Sequence, residues 1–246
     1  MLHLNTQGLR DTAAWEAAGI ALPRYHVQTV RKRTWENPAW VHFGAGNIFR
    51  GFLAAAQQTL LNTGGASTGI IAAESFDFQI IDNVYTPYDS LSLLVRMAAD
   101  RPNQMEVIGS VAGGLKADCQ GPDCPRHTMS IAAALLYRRF QAGGAPIAMV
   151  SMDNCAQNGQ KLQDAVERIA AGWQERGLVP RDFLTWLDDR SKVTFPWSMI
   201  DKITPHPSQQ VQQELEGLGL ADMTISKTNT GTLIAPFVNA EVTEYL

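Results

Sequence analysis

Residues 40–53 read WVHFGAGNIFRGFL. Trp40–Phe43 is a short apolar run of strand type, and it ends in Gly44-Ala45-Gly46. Apolar residues then recur at Ile48, Phe52, Leu53, Ala56, Leu60 and Leu61, which is the spacing of one helix face. Residues 62–65, Asn-Thr-Gly-Gly, stop that helix, and Thr68–Ala73 (TGIIAA) reads as a second, buried strand. Strand, glycine turn, helix and strand thus complete a unit of the βαβ kind, which takes about 30 residues.

The alternation continues outward. Leu91–Met97 and Met105–Val111 are strand-like, and His127–Gln141 carries Met129, Ala132, Ala133, Leu136 and Phe140 on one helical face. Pro146–Met152 (PIAMVSM) reads as a buried strand. Gly159–Arg176 reads as an amphipathic helix with Leu162, Val166, Ile169, Ala170 and Trp173 inward. Pro180 is suited to open a further helix at Arg181–Asp189. Strands alternating with helices predict an α/β fold, a doubly wound, mostly parallel sheet covered on both faces. Residues 1–37, with a short helical stretch near Asp11–Ala18 and a turn at Pro23, read as an arm packed on a domain spanning 38–246.

The chemistry follows from the turn. Gly44 lets the chain leave the strand sharply. Gly46, without a Cβ, lets a pyrophosphate approach the backbone while the next helix points its first N–H groups at it. The third glycine of the usual G-x-G-x-x-G is replaced by Phe49, and such a turn also serves other α/β proteins, including methyltransferases. Its position after a strand and before a helix favours a dinucleotide. Glu74 directly follows the second strand, 28 positions past Gly46 (74 − 46), and Asp77 is close behind. A carboxylate there accepts from the adenosine ribose hydroxyls and repels a 2′-phosphate, so NAD is expected over NADP. Without that context Glu74 would serve equally to cap a loop.

Several segments, in order, carry a resemblance. FGAGNIFRGF matches a G-x-G-x-x-x-R turn, DNVYTP (Asp82–Pro87) is similar to QDGLYT, SMDNCAQNGQKL (Ser151–Leu162) to SCDNLPxNG, and FPWSMIDKITP (Phe195–Pro205) to FPNTMVDRITP. With the opening Leu4, Asn5, Leu9, Pro23 and Tyr25 and the final APFVNAEVTEYL, nearly the whole chain resembles the polyol-specific long-chain dehydrogenases, the family of mannitol dehydrogenase and fructuronate reductase. The resemblance implies a Rossmann-like nucleotide-binding domain, NAD as cofactor, and a sugar alcohol or sugar acid as substrate. It carries Gly44, Gly46, Asn47, Ile48, Arg50, Glu74, Asp77 and Asp153 over as cofactor-binding positions. It also implies that the Asn154 amide steadies the developing alkoxide, that Asp153 orients its loop, and that Asp201 accepts from substrate hydroxyls. Read without the family, Asp153-Asn154 would be a turn pair after a strand and Asp201 a cap before Pro205. The family's catalytic K-x-x-x-x-N-x-x-H, on a helical C-terminal domain, is not found: Lys227 is followed by Asn229, and His206 is the last histidine. Lys202 stands where the family usually has arginine. The chain therefore reads as the cofactor-binding half, the alternative being a nucleotide-binding module with no catalysis of its own.

Composition narrows the partners. A net charge of −4 does not favour nucleic acid, and Arg31-Lys32-Arg33 reads as a solvated turn. The opening MLHLNTQGLR has no apolar signal region, and no run of about 18 apolar residues occurs, so neither secretion nor a membrane span is expected and a cytoplasmic location is the default. Cys119, Cys124 and His127 in CQGPDCPRH, with Cys155 more distant, have the makings of zinc ligands. The wide C-x4-C spacing and Pro122 and Pro125 favour ordinary loop thiols, so no metal is expected. An apolar surface meant for a second domain would favour a homodimer or looser association.

The 246-residue chain alone is expected to show little or no turnover in assays with NAD and mannitol, or with NADH and fructuronate or tagaturonate. Positioned proton transfer contributes roughly 10²–10⁴ in rate. Robust turnover at high protein concentration would show that a base resides here, Lys202 or Lys227 being the candidates.

Overall fold

Short apolar runs and amphipathic stretches fold, in the computed structural model, into mixed helix and sheet. The structure describes residues 1–74, 77–98, 102–116, 128–152, 155–199 and 204–241. In chain order the elements are α1 (Thr12–Ala17), β1 (Ile20–Ala21), α2 (Val27–Glu36), β2 (Val41–Phe43), α3 (Ala54–Thr63), β3 (Ile70–Glu74), β4 (Ser92–Met97), β5 (Gln104–Ile108), β6 (Val111–Lys116), α4 (Thr128–Gln141), β7 (Ile147–Ala148), α5 (Asn158–Glu175), α6 (Arg181–Asp188), β8 (Val193–Thr194), α7 (Gln209–Gly217), β9 (Ser226–Lys227), β10 (Leu233–Ile234) and β11 (Phe237–Glu241). They divide between two compact units, one of Met1–Ala117 with Lys202–Leu246 and one of Asp118–Asp201.

The first unit contains a parallel sheet in the order β2-β3-β6. Central β3 is buried along its whole length, which is why its sequence is a continuous apolar run rather than an alternating one. Both faces are covered, as β6 shows. A Cβ on Gly113 would lie 2.6 Å from the ring of Trp35 in α2, and one on Gly114 would lie 2.8 Å from Ile81 and 3.1 Å from Tyr85. Successive strand residues face opposite sides, so α2 covers one face and the helical turn Ile81–Tyr85 the other.

A second sheet runs β1-β5-β4-β11, with β4 and β5 antiparallel and the outer pairs parallel. Met105–Val111, which reads as one strand, is in fact two strands in two sheets. Gly109-Ser110 makes the break. Ser110 Oγ donates to the Ala54 carbonyl at 2.6 Å, and a Cβ at Gly109 would press on Val27 and Pro23. Buried Gln58 ties this corner together. Its amide nitrogen, Nε2, donates to the Val107 carbonyl at 2.6 Å, and Oε1 accepts from Gly109 N–H and from the Tyr25 hydroxyl, each at 2.8 Å. Leu2, Leu4, Trp15 and Ile20 enter the same core as Leu93, Val95, Leu215 and Phe237. Arg31-Lys32-Arg33 does not form a turn but lies inside α2. That helix buries little more than Val30 and Thr34, so its apolar period is faint in the sequence.

In the second unit, α4, α5 and α6 enclose Leu136, Val166, Ala170, Phe183 and Leu187. Tyr137, Phe140, Phe183 and Trp186 form an aromatic cluster with centroids 5.1–6.3 Å apart. Of the run Pro146–Met152 only Ile147–Ala148 is strand, because its parallel partner β8 is equally short. Pro180 sits at the N-cap of α6, as its place before Arg181 suggests.

Gln58→Leu would leave the Val107 carbonyl and the Gly109 N–H buried without partners. A loss of about 2–4 kcal/mol is expected in urea unfolding. Gly113→Ala should cost about 1–3 kcal/mol by over-packing against Trp35.

Candidate functional site

The glycine turn is built by a change of hydrogen-bond partner. Gly44, at φ +100°, donates its N–H to the Ala73 carbonyl at 2.8 Å as the last rung between β2 and β3. The next amide, Ala45 N–H, donates instead to Glu74 Oε2 at 3.0 Å. The Ala45 carbonyl accepts from the Tyr85 hydroxyl at 2.9 Å. Ala45 is thus fixed on both sides of its own residue and wholly buried. Burial pushes the Tyr85 hydroxyl pKa well above its usual value, so it remains a donor. Over Gly44 and Gly46 a Cβ would meet no heavy atom within 4 Å. The turn is therefore open where a ligand backbone would approach, and Gly44 needs a left-handed φ that other residues adopt only with strain.

Beyond Gly46 the chain enters a helix. Phe49–Leu53 form a wide π turn, with Ala54 N–H bonded to the Phe49 carbonyl, before α3 begins. Such widened turns occur often at functional sites. Ile48 is 53% exposed, while Phe49 is buried and stacks on His42 with centroids 4.6 Å apart. Asn47 Nδ2 lies 3.5 Å from the Leu233 carbonyl, and Asn47 Oδ1 accepts from Arg50 Nη2 at 2.8 Å. Arg50 points inward rather than to the open side. Its guanidinium is completely buried, with Nη1 donating to the Ala235 carbonyl at 2.8 Å.

The acidic residues stand at the end of β3 and just beyond it, and are tied to one another. Glu74 Oε1 accepts from Asp77 N–H at 3.3 Å. Asp77 Oδ2 accepts from the Thr230 hydroxyl, in the hairpin between β9 and β10. Thr230 Oγ1 is 2.8 Å from Thr228 Oγ1, and Asn229 N–H donates to Gln79 Oε1 at 2.6 Å. The structure therefore brings Gly44, Gly46, Asn47, Ile48, Arg50, Glu74 and Asp77 to one end of the parallel sheet. To these it adds Tyr85 and Thr230, which the sequence reading did not single out. Tyr85 lies inside the quoted DNVYTP. TNTGT, a glycine-containing turn between short strands, carries a hairpin signal but none for its contact with Asp77.

In the second unit a different device is visible. Buried Asn158, at the start of α5, donates from Nδ2 to the Ser198 carbonyl at 2.9 Å, to Ser198 Oγ at 2.8 Å and to the Ser151 carbonyl at 3.3 Å. Its Oδ1 accepts from Ser198 N–H at 3.1 Å and Gly159 N–H at 2.8 Å. A Cβ on Gly159 would sit 2.5 Å from the Pro196 carbonyl oxygen, so the Asn-Gly pair is sterically required. It clamps the chain just before residues 153–154 to the chain just before 200–203. Asp153, Asn154, Asp201 and Lys202 themselves lie outside the described residues, as do Cys119, Cys124 and His127. Among the described residues no three His, Cys, Asp or Glu side chains gather as a metal site, and no helix is long and apolar enough to cross a membrane.

Residues 38–218 match the family profile described as the mannitol dehydrogenase Rossmann domain. The chain belongs to the mannitol dehydrogenase family. A D-mannonate oxidoreductase of Thermotoga maritima is 40% identical over 292 aligned positions, covering 100% of this chain and 54% of that protein. A polyol:NADP oxidoreductase of Gluconobacter oxydans is 24% identical, over 87% of this chain and 51% of that protein. Among solved structures, mannitol 2-dehydrogenase of Pseudomonas fluorescens, in a ternary complex with NAD and D-mannitol, superposes with a TM-score of 0.74 at 22% identity, over 96% of this chain and 53% of the other. This last likeness establishes the shared fold. The chain spans about half the length of these relatives.

Burial lowers the His42 pKa to about 4 from 6.5. A histidine kept neutral by folding contributes stability above its unfolded value and loses it as pH falls through 6.5 towards about 4. The unfolding midpoint should therefore fall between pH 7 and pH 4.5, and His42→Phe, which keeps the stack on Phe49, should flatten part of that fall.

Proposed function

We propose that this chain is the dinucleotide-binding part of an NAD-dependent oxidoreductase acting on a sugar alcohol or a sugar acid. The observation that carries the reading is the Glu74 carboxylate placed against an open glycine turn, hydrogen-bonded to Ala45 N–H at 3.0 Å. The residues present fit the cofactor. The backbone at Gly44, Gly46, Asn47 and Ile48 would hold the pyrophosphate, and Glu74, with Asp77 beside it, would accept from the ribose hydroxyls. The nicotinamide supplies the hydride acceptor or donor when bound. Asn154 would donate its amide to the oxygen whose charge develops as hydride moves. Asp153 would hold the loop that presents that amide, and Asp201 would accept from the substrate hydroxyls. The 40% identity to a D-mannonate oxidoreductase supports a sugar acid over a simple polyol.

Because the relatives include one named for NADP, cofactor choice is the sharpest test. Calorimetry should give tighter binding of NAD(H) than of NADP(H), and Glu74→Ala should erase most of the difference. Tighter NADP(H) binding by the unaltered chain would contradict the reading.

A second reading, a nucleotide-binding module without catalysis of its own, is favoured by the lack of K-x-x-x-x-N-x-x-H in these 246 residues. NAD binding without turnover by the chain alone would be its signature.

A further inference from the structure

Among the described residues, Arg50 carries a charge that nothing balances. The guanidinium is 0% exposed and its Nε has no hydrogen-bond partner. The partners its other nitrogens do have are neutral: the Ala235 carbonyl, Asn47 Oδ1 and, at 3.5 Å, Ser92 Oγ. Among the described residues no carboxylate forms an ion pair with it. Burial disfavours its charged form, yet arginine does not give up its proton in a protein. A buried, unpaired cation is costly, and its position here is specific. Arg50 N–H closes the first helical bond onto the Gly46 carbonyl, and Nη2 grips the side chain of Asn47, so the charge lies directly behind the open turn.

We propose that Arg50 is the counter-charge of the cofactor pyrophosphate and acts from behind the turn, through the protein and through Asn47, without touching the ligand. The inference rests on the nucleotide reading above and assigns one of its parts. With the diphosphate seated, the buried cation gains a counter-charge that none of the described residues provides. Across a thin layer of protein, the field of a charge is stronger than across the same distance of water. Arg50 is accordingly a positioning and electrostatic residue rather than a contact residue.

The test separates the charge term from the shape of the site by titrating the full chain with adenosine, ADP and ADP-ribose, calorimetrically. In the unaltered chain ADP and ADP-ribose should bind more tightly than adenosine. Arg50→Gln should keep the adenosine affinity within about twofold while losing on the order of tenfold in ADP and ADP-ribose affinity, the size expected of a unit charge acting on a diphosphate across a few ångströms. Arg50→Lys should retain most of the diphosphate increment. Asn47→Ala, at a half-buried position, keeps the test available if Arg50→Gln does not fold: it should lose part of the same increment and leave adenosine unaffected. Equal losses for adenosine and ADP, or an intact increment in both Arg50→Gln and Asn47→Ala, would overturn the role of Arg50 alone. Failure of the unaltered chain to bind any of the three ligands would overturn the nucleotide reading itself.

Discussion

The arrangement of the first unit depends on where the β2–β3 ladder stops. Gly44 N–H still bonds a backbone carbonyl, Ala73, at 2.8 Å, and the very next amide bonds the Glu74 side chain. That transfer releases the chain from the sheet at a fixed residue and in a fixed direction. It also places a carboxylate beside the turn without leaving the Ala45 amide unsatisfied in a buried position, where an unpaired donor is strongly disfavoured. The Tyr85 hydroxyl secures the Ala45 carbonyl. Tyr85 can lie there because β6 has glycine at 114. The site thus rests on one strand end, one acid and one missing side chain.

How much of this was legible beforehand follows from the range of each interaction. The strand, the glycine turn, the helix behind it and β3 are local and show in residues 40–74. The split of Met105–Val111 was not legible, since it depends on Ala54 and on Val27 and Pro23, far away in sequence. Thr230 reaches Asp77 across 153 positions, and no local pattern announces that contact. Arg50 shows the subtlest gap. Its motif marked it as part of the turn, but only the three-dimensional structure shows that it faces the Ala235 carbonyl, because β11 and its approach come from the far end of the chain.

The second unit solves a different problem. Two segments that are separate in sequence must be held at a fixed distance, and neither forms a long strand that could do so. One buried amide replaces the ladder: Asn158 both donates to and accepts from Ser198 while it also reaches Ser151. Gly159 lets the helix start close against the Phe195 and Pro196 carbonyls. The Asn-Gly pair is here a steric and hydrogen-bonding requirement of the backbone.

The pairing of β11 with β4 joins residues as distant as Leu93 and Phe237. During synthesis, residues 118–201 leave the ribosome as an uninterrupted segment and can collapse on their own core, whereas the other unit must wait for its last strand. Until then Ser92–Met97, with Leu93, Leu94 and Val95 in its middle, has no strand to pair with on one edge. An unpaired, apolar strand edge is a template for joining other chains, and closing so long a loop is slow. Translation therefore exposes a sticky intermediate for as long as some 140 residues take to follow β4, at about 5–20 residues per second.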